Sequence, residues 1–334
     1  MNLSGKTFLL TGATGSFGRA FIGHVLARWP DAVIRAYSRD ELKQSELRAA
    51  HGEAQVRYLI GDIRDRARLT RAAQGVDILV HAAAMKQVPA CEYNPFEAVN
   101  TNVIGAQHVI DAAIDAGVGQ VVALSTDKAV NPVNIYGATK LCMEKLIVQG
   151  NAYAAHSAAR FACVRYGNVV GSRGSVVPLF MAQRDEGRFT ITDERMTRFW
   201  ITLDQAVELV LFALEHMRGG EVFVPKLPSV RVVDLAEAIA PGLPREVVGI
   251  RPGEKLHELL LTSDEARHTV DLGEVYVVLP EHPWWDTTAL ADGKPLDEGF
   301  TYSSGANQHW LGVAELAASL SVPGLAIERR GAGR

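Results

Sequence analysis

The chain has 334 residues, a formal net charge of −4, and 48% hydrophobic against 22% charged side chains. This is ordinary globular usage; it excludes disorder, collagen and coiled coil as descriptions of the whole, and it lacks the basic footprint of a nucleic-acid binder. At about 150 residues per domain the length points to two domains, or to one α/β body with an appended lobe.

The first half alternates short β-rich runs with helical patterns. Strands are predicted at Thr7–Thr11, Val33–Tyr37, Val56–Ile60, Ile78–Val80 and Val121–Leu124, with helices such as Phe17–Arg28 and Glu41–Ala50 between them. A long helix begins near Asn134 and a sixth strand follows at Phe161–Tyr166. This rhythm implies βαβ units and a doubly wound parallel sheet, a Rossmann-type α/β fold. After Gly171 the rhythm weakens, although Thr197–Thr202 and Glu221–Pro225 read as strands and Asp204–Met217 and Val233–Ala240 as helices. The expected organisation is a dinucleotide-binding domain over residues 1–170, which the chain re-enters around 204–224, and a smaller C-terminal substrate-binding lobe over 171–330. From Pro280 on the chain is rich in Pro, Gly and Trp without clear period; Trp284 and Trp285 are read as packing residues, and the tail Arg329–Arg334 is expected to fray. No apolar run approaches the ~18 residues of a membrane span, and Met1–Lys6 is too short and polar to open a signal peptide. The three cysteines, Cys91, Cys142 and Cys163, have no zinc-ligand spacing and fit a reducing, cytoplasmic compartment. None of the ten histidines joins a metal-ligand set, so no metal is expected.

Thr11-Gly12-Ala13-Thr14-Gly15-Ser16-Phe17-Gly18 follows a strand and opens a helix, the context that a dinucleotide-binding turn needs. Gly12 makes the tight turn, Gly15 lets the backbone approach a pyrophosphate, and Gly18 permits close helix–strand packing. The end of the second strand selects the dinucleotide. Ser38 and Arg39 stand at the deciding places with Lys43 close by, which favours NADP over NAD, while Asp40 keeps NAD open. Ser38 and Glu41 also have the spacing of a capping box. Asp62 and Ile63 would flank an adenine, and Ala82, Ala83 and Ala84 are small enough for a cofactor to lie against, or for tight sheet packing.

Tyr136 and Lys140, four residues apart on a helix, share one face. The wide glycine spacing and this Tyr-x-x-x-Lys pair resemble the extended short-chain dehydrogenase/reductase superfamily. That resemblance implies Tyr136 as acid/base, Lys140 as the group holding the nicotinamide ribose, Ser125 on the substrate hydroxyl and Asn102 in the usual structural asparagine place. A tyrosine working at pH 7 must fall by about 3 units, roughly 4 kcal/mol; one ammonium at ~4 Å and an effective dielectric of ~20 supplies about that much, and Lys140 is the expected source.

Longer segments are more specific: Ala123-Leu124-Ser125-Thr126-Asp127-Lys128-Ala129, Ser38–Gln44, His81–Pro95, Arg165–Pro178, Arg195–Thr202 and Gly249–Glu258. Together they resemble the family of inverting UDP-N-acetylglucosamine 4,6-dehydratases of the pseudaminic acid pathway, over nearly the whole chain and least beyond Val270. The resemblance implies oxidation of carbon 4, loss of water across carbons 5 and 6, and inversion at carbon 5. Lys128 would take the carbon 5 proton, and Asp127 would protonate the departing hydroxyl. Retaining relatives carry Asp-Glu where this chain has Asp127-Lys128. The same match carries Lys86, Thr126, Asn168, Arg173, Val177, Thr197, Arg251 and Glu254 into the substrate site and Val169 into the cofactor site, with Arg173 and Arg251 as phosphate or ribose ligands. It implies a homo-oligomer, with a hexamer as the candidate, acting on a UDP-sugar. The competing readings are a retaining dehydratase, a UDP-hexose 4-epimerase, and a non-catalytic NADP sensor, which would need neither Tyr136 nor Asp127-Lys128.

Overall fold

The computed structural model describes residues 1–154, 157–172, 175–281 and 293–320. In chain order the first half runs β1 (Thr7–Thr11), α1 (Ser16–Arg28), β2 (Val33–Ser38), α2 (Glu41–His51), β3 (Val56–Ile60), α3 (Arg66–Ala73), β4 (Ile78–His81), α4 (Val88–Tyr93), α5 (Pro95–Val99), a π-helical turn at Asn100–Ile104, α6 (Gly105–Ala116), β5 (Gln120–Leu124), a 3-10 turn at Asp127–Ala129, α7 (Ile135–Tyr153) and β6 (Arg160–Val164). The second half adds β7 (Asn168–Val169), α8 (Val176–Glu186), β8 (Phe189–Ile191), β9 (Thr197–Ile201), α9 (Leu203–His216), β10 (Val222–Pro225), β11 (Ser229–Arg231), α10 (Val232–Ile239), β12 (Arg245–Val247), β13 (Leu259–Leu261), α11 (Ser263–Ala266), β14 (Thr269–Asp271), β15 (Val275–Val278), β16 (Lys294–Pro295), β17 (Tyr302–Ser303) and α12 (Val313–Leu320).

The chain divides into two units. The first comprises Met1–Tyr166, Leu203–Lys226 and Leu259–Thr301. Its sheet has, among the described residues, ten strands in the order β16-β14-β15-β10-β6-β5-β4-β1-β2-β3. From β3 to β10 the neighbours are parallel, and β15, β14 and β16 continue antiparallel. Burial on both faces explains the apolar runs: β4 is buried throughout and β5 in all but its first residue. The order reverses at β1, which pairs with β2 on one side and β4 on the other; such a switch point is where open α/β sheets bind ligands.

Residues 259–301, which the sequence groups with the C-terminal lobe, belong to the first unit. β15 pairs with β10 in full register, Val222 with Val278 through Pro225 with Val275, and so covers an edge that would otherwise be exposed. The second unit, Gly167–Thr202, Leu227–Glu258 and Tyr302–Arg334, holds the sheet β11-β9-β7 and a core that includes Phe180, Phe189, Ile191, Trp200, Val230 and Leu235. Trp284, Trp285, Arg173 and the tail Arg329–Arg334 lie outside the described residues. No helix among the described residues is long and apolar enough to cross a membrane.

Candidate active site

The chain leaves β1 at Thr11 and enters α1 at Ser16, with Gly15 at the N-cap and no side chain capping the helix. The first backbone N–H groups of α1 therefore sit at a positive helix end suited to an anion. Gly12 has φ +70°, and a Cβ there would stand 2.8 Å from the Ala83 nitrogen and 2.9 Å from the Ala82 oxygen; a Cβ on Gly18 would stand 2.4 Å from the Ala13 oxygen. Thr14 is buried, and Phe17 stacks on Phe21 at 5.8 Å. This is a cradle that side chains would fill, and the residues present fit a dinucleotide pyrophosphate.

Behind the cradle, Thr11 Oγ1 accepts the N–H groups of Ala82 and Ala83 at 3.2 and 3.3 Å, so its proton goes to His81 Nδ1 at 2.8 Å. His81 then carries its own proton on Nε2. Burial, then the charge of Lys140, pushes His81 down to about 3, and it is neutral.

At the end of β2 the Ser38 hydroxyl accepts from Gln44 Nε2 at 3.0 Å. The cap of α2 is Asp40, which accepts the Lys43 N–H at 3.0 Å and the Lys43 ammonium at 2.5 Å. Ser38 is still part of the strand, so the Ser38–Glu41 capping box does not form; Glu41 is the first residue of the helix. Arg39 is exposed and 3.7 Å from the Asp62 carboxylate. Burial pushes the Asp62 carboxyl up, but hydrogen bonds from Arg64 outweigh it and hold it below the usual range. Ile63 is buried beside it. The Asn102 amide, in the π-helical turn, is committed within the protein: it accepts from Met85 N–H at 2.9 Å and donates to Met85 O and Thr139 Oγ1, both at 3.0 Å. It therefore ties the loop after β4, which carries Ala84 and Lys86, to α7.

The Asp127–Ala129 turn and the start of α7 meet across Gly137, where a Cβ would stand 2.1 Å from the Lys128 carbonyl oxygen. Asn134 caps α7 by accepting the Gly137 N–H at 2.7 Å. Asp127 is fully buried, and its Oδ1 accepts from Thr126 Oγ1 and from Lys128 Nζ, both at 2.9 Å. Its backbone N–H donates to Tyr166 O at 3.1 Å. Tyr136 packs against Cys91 and Ala98 and is hydrogen-bonded to Thr126. Burial raises its hydroxyl to about 12; Lys128 lowers it and Asp127 raises it. The cation that bears on Tyr136 is thus Lys128, not the expected Lys140, whose ammonium donates instead to Leu124 O at 2.5 Å. Burial lowers Lys140 to about 8. The Ser125 hydroxyl is buried without a hydrogen-bond partner among the described residues, and burial, then Lys128, lowers Lys86.

The remaining expected residues lie in the second unit. Asn168 and Val169 form β7 against Trp200 and Ile201. Val177 is part of the apolar core, and the Thr197 hydroxyl is held by His257 Nδ1 and Ser304 Oγ, each at 2.8 Å. Both therefore support the unit from inside instead of offering a free group. Arg251 is exposed, and Glu254 turns back on it through its N–H to Arg251 O at 3.1 Å.

Sequence reasoning misses one buried ionic cluster. Arg165, 1% exposed, donates to Glu144 at 3.1 and 2.5 Å, to Glu265 at 3.0 and 2.7 Å, and to Leu260 O at 2.8 Å. An arginine directly after the apolar run Phe161–Val164 was a signal, since a guanidinium at that depth requires carboxylate partners.

The sheet order, the glycine cradle and the Tyr136–Lys140 face of α7 define an extended short-chain dehydrogenase/reductase fold. The model of the polysaccharide biosynthesis protein family matches residues 8–280, and the chain belongs to that family. It is 48% identical over 320 residues to a UDP-N-acetylglucosamine 4,6-dehydratase (inverting) of Campylobacter jejuni, covering 93% of this chain and 96% of that protein. It is 44% identical over 283 residues to a UDP-glucose 4-epimerase of Rickettsia canadensis, covering 81% and 82%. The solved structure of Pen from Bacillus thuringiensis superposes with a TM-score of 0.87 at 38% identity, covering 96% of this chain and 98% of that one.

Proposed function

We propose that this chain is a configuration-inverting UDP-N-acetylglucosamine 4,6-dehydratase, giving UDP-2-acetamido-2,6-dideoxy-β-L-arabino-hex-4-ulose and water. The observation that carries the reading is the Asp127–Lys128 pair seated against Tyr136 through Gly137. The 48% identity to an inverting dehydratase over almost the full length supports it.

The glycine cradle holds a nicotinamide dinucleotide, for which Ser38, Arg39 and Lys43 favour NADP. When bound, that group supplies the redox chemistry, oxidation at carbon 4 and the matching reduction at carbon 6. The chain's own residues move protons. Tyr136 Oη takes the proton of the carbon 4 hydroxyl, and Lys140 and Ser125 hold the ribose and the substrate hydroxyl. With carbon 4 a ketone, the carbon 5 hydrogen is acidic. A single proton passing from Lys128 Nζ to Asp127 Oδ1, 2.9 Å apart, prepares both roles at once: a neutral amine base and a protonated acid. Lys128 removes the carbon 5 proton, and Asp127 protonates the leaving carbon 6 hydroxyl. A proton from solvent returns to carbon 5 on the opposite face and inverts it, and Tyr136 releases the carbon 4 hydroxyl proton to solvent, which closes the proton balance. Lys86, Thr126 and, from the second unit, Asn168, Arg173, Arg251 and Glu254 bind the UDP-sugar, the arginines suiting its phosphates. We place the reaction at the start of pseudaminic acid synthesis for flagellin or surface-glycan modification, in the cytoplasm and in a homo-oligomer.

The epimerase reading rests on the 44% identity to the Rickettsia enzyme, but it leaves Asp127–Lys128 without a task. NMR of the protein with UDP-N-acetylglucosamine in deuterium oxide separates the readings. We expect a new methyl signal, deuterium at carbon 5 and L-arabino ring couplings. A methyl signal with carbon 5 configuration kept would make it a retaining dehydratase, and epimerised hexose with carbon 6 intact would overturn dehydration.

A further inference from the structure

Lys140 is enclosed by groups from four elements. Tyr136 precedes it by one turn of α7 and Glu144 follows it by one turn; His81 faces it from β4, Cys163 from β6, and Leu124 O accepts its ammonium from β5. Most of these are uncharged near neutral pH. Burial holds the Tyr136 hydroxyl and the Cys163 thiol protonated, and it keeps His81 unprotonated. Lys145, next along α7 from Glu144, bears on Glu265. Among these groups, the charged side chain facing Lys140 is Glu144.

Glu144 is fully buried, and both of its oxygens are bound by Arg165. Arg165 turns its other side to Glu265, whose position is fixed by the capping box with Thr262. Two carboxylates around one guanidinium leave one negative charge over, and the cations near it are Lys140, one turn back from Glu144, and Lys145, which bears on Glu265. A buried charge surplus of this kind persists only when a partner matches it.

We propose that Glu144, clamped by Arg165 and Glu265 and one turn along α7 from Lys140, acts on Lys140 through its charge: it supplies the buried negative charge that keeps Lys140 an ammonium while Leu124 O holds it in place. This rests on the dehydratase reading only in making Lys140 part of the working site. Burial lowers Lys140 to about 8, and Cys163 and then Glu144 raise it again in part.

The test is the titration of the Lys140 ammonium by ¹⁵N-lysine NMR in the full-length chain, its signal assigned by its loss in Lys140→Arg. In the unsubstituted protein Lys140 should remain protonated at pH 7; titration below pH 7 with Glu144 present overturns the proposal, whatever any variant does. In Glu144→Gln the midpoint should fall by about one unit or more, a tenfold loss of proton affinity. Glu144→Asp, which keeps the charge, should recover most of it. The alkaline limb of the rate profile of Glu144→Gln, where the Lys140 ammonium is lost, should move to lower pH with KM unchanged. A folded Glu144→Gln protein with the titration of the unsubstituted chain overturns the proposal. Absence of dehydration in the unsubstituted protein would instead strike the proposed reaction and leave the Lys140 titration to judge this one.

Discussion

Burial raises the Tyr136 hydroxyl to about 12, so service as a base at pH 7 requires a fall of about 5 units, roughly 7 kcal/mol. A single ammonium at ~4 Å and an effective dielectric of ~20 contributes about 4 kcal/mol. The pull of Lys128 is already contained in the value of about 12, so the fall has to arrive with the ligands, and a bound cation at such a distance supplies a part of it. Tyr136→Phe should lower turnover by about 10²- to 10⁴-fold, the usual share of general acid–base catalysis, with dinucleotide affinity by calorimetry unchanged; undiminished turnover would move the proton to another group. His81 makes a separate prediction. The unfolded chain takes up its proton near pH 6.5, whereas the folded chain resists until about 3. Protonation over that window favours unfolding, so stability falls as pH drops from 6.5 toward 3, at a slope of up to ~1.4 kcal/mol per pH unit. Denaturant titrations should show His81→Asn with a flatter acid limb; an identical slope would mean that His81 is not the group concerned.

Among the elements, α7 carries most of the consequence. It brings Tyr136 and Lys140 to the sheet, and its entry is set by Asn134 and by the absence of a side chain at Gly137. Gly137→Ala places a carbon 2.1 Å from a backbone oxygen, which only a shift of the helix or of the Asp127–Ala129 turn can relieve. We expect a loss of about 1–3 kcal/mol by chemical denaturation, together with a fall in turnover larger than any change in dinucleotide affinity. The elements that position the site were legible in the sequence because parallel strands buried on both faces read as plain apolar runs; β1 begins and ends where the residues suggest. The cap of α2 was misplaced because Ser38 and Asp40 both suit the role, and only the fold reveals that Gln44 has taken the serine. β7, with two residues, and β14, with three, are too short for any period to register. The Glu144–Arg165–Glu265 cluster joins residues 21 and 100 apart, a separation over which local pattern carries no information.

At the scale of the molecule, the first unit is assembled from three stretches of chain that the second unit interrupts. Arg165 is where they are tied together, since its side-chain partners Glu144, Leu260 and Glu265 come from the first and the third and its backbone N–H donates to Phe223 O in the second at 2.8 Å. Arg165→Met removes the shared cation and leaves two carboxylates facing each other in the interior. A loss of about 3–5 kcal/mol is expected, visible as a drop in the thermal midpoint; a drop no larger than that of a surface substitution would show the cluster to be dispensable.

That arrangement also sets an order of events during synthesis. When Tyr166 leaves the ribosome, Arg165 can already reach Glu144, but Glu265 is another 100 residues away. At 5–20 residues per second the wait is on the order of 5–20 s. For the first half of that interval the half-made sheet lacks β10, for all of it the strands β14, β15 and β16 are missing, and a guanidinium destined for the interior has half of its partners. The growing chain is most open to misassociation then, and a chaperone that engages it between residues 166 and 301 would meet it at its most vulnerable length.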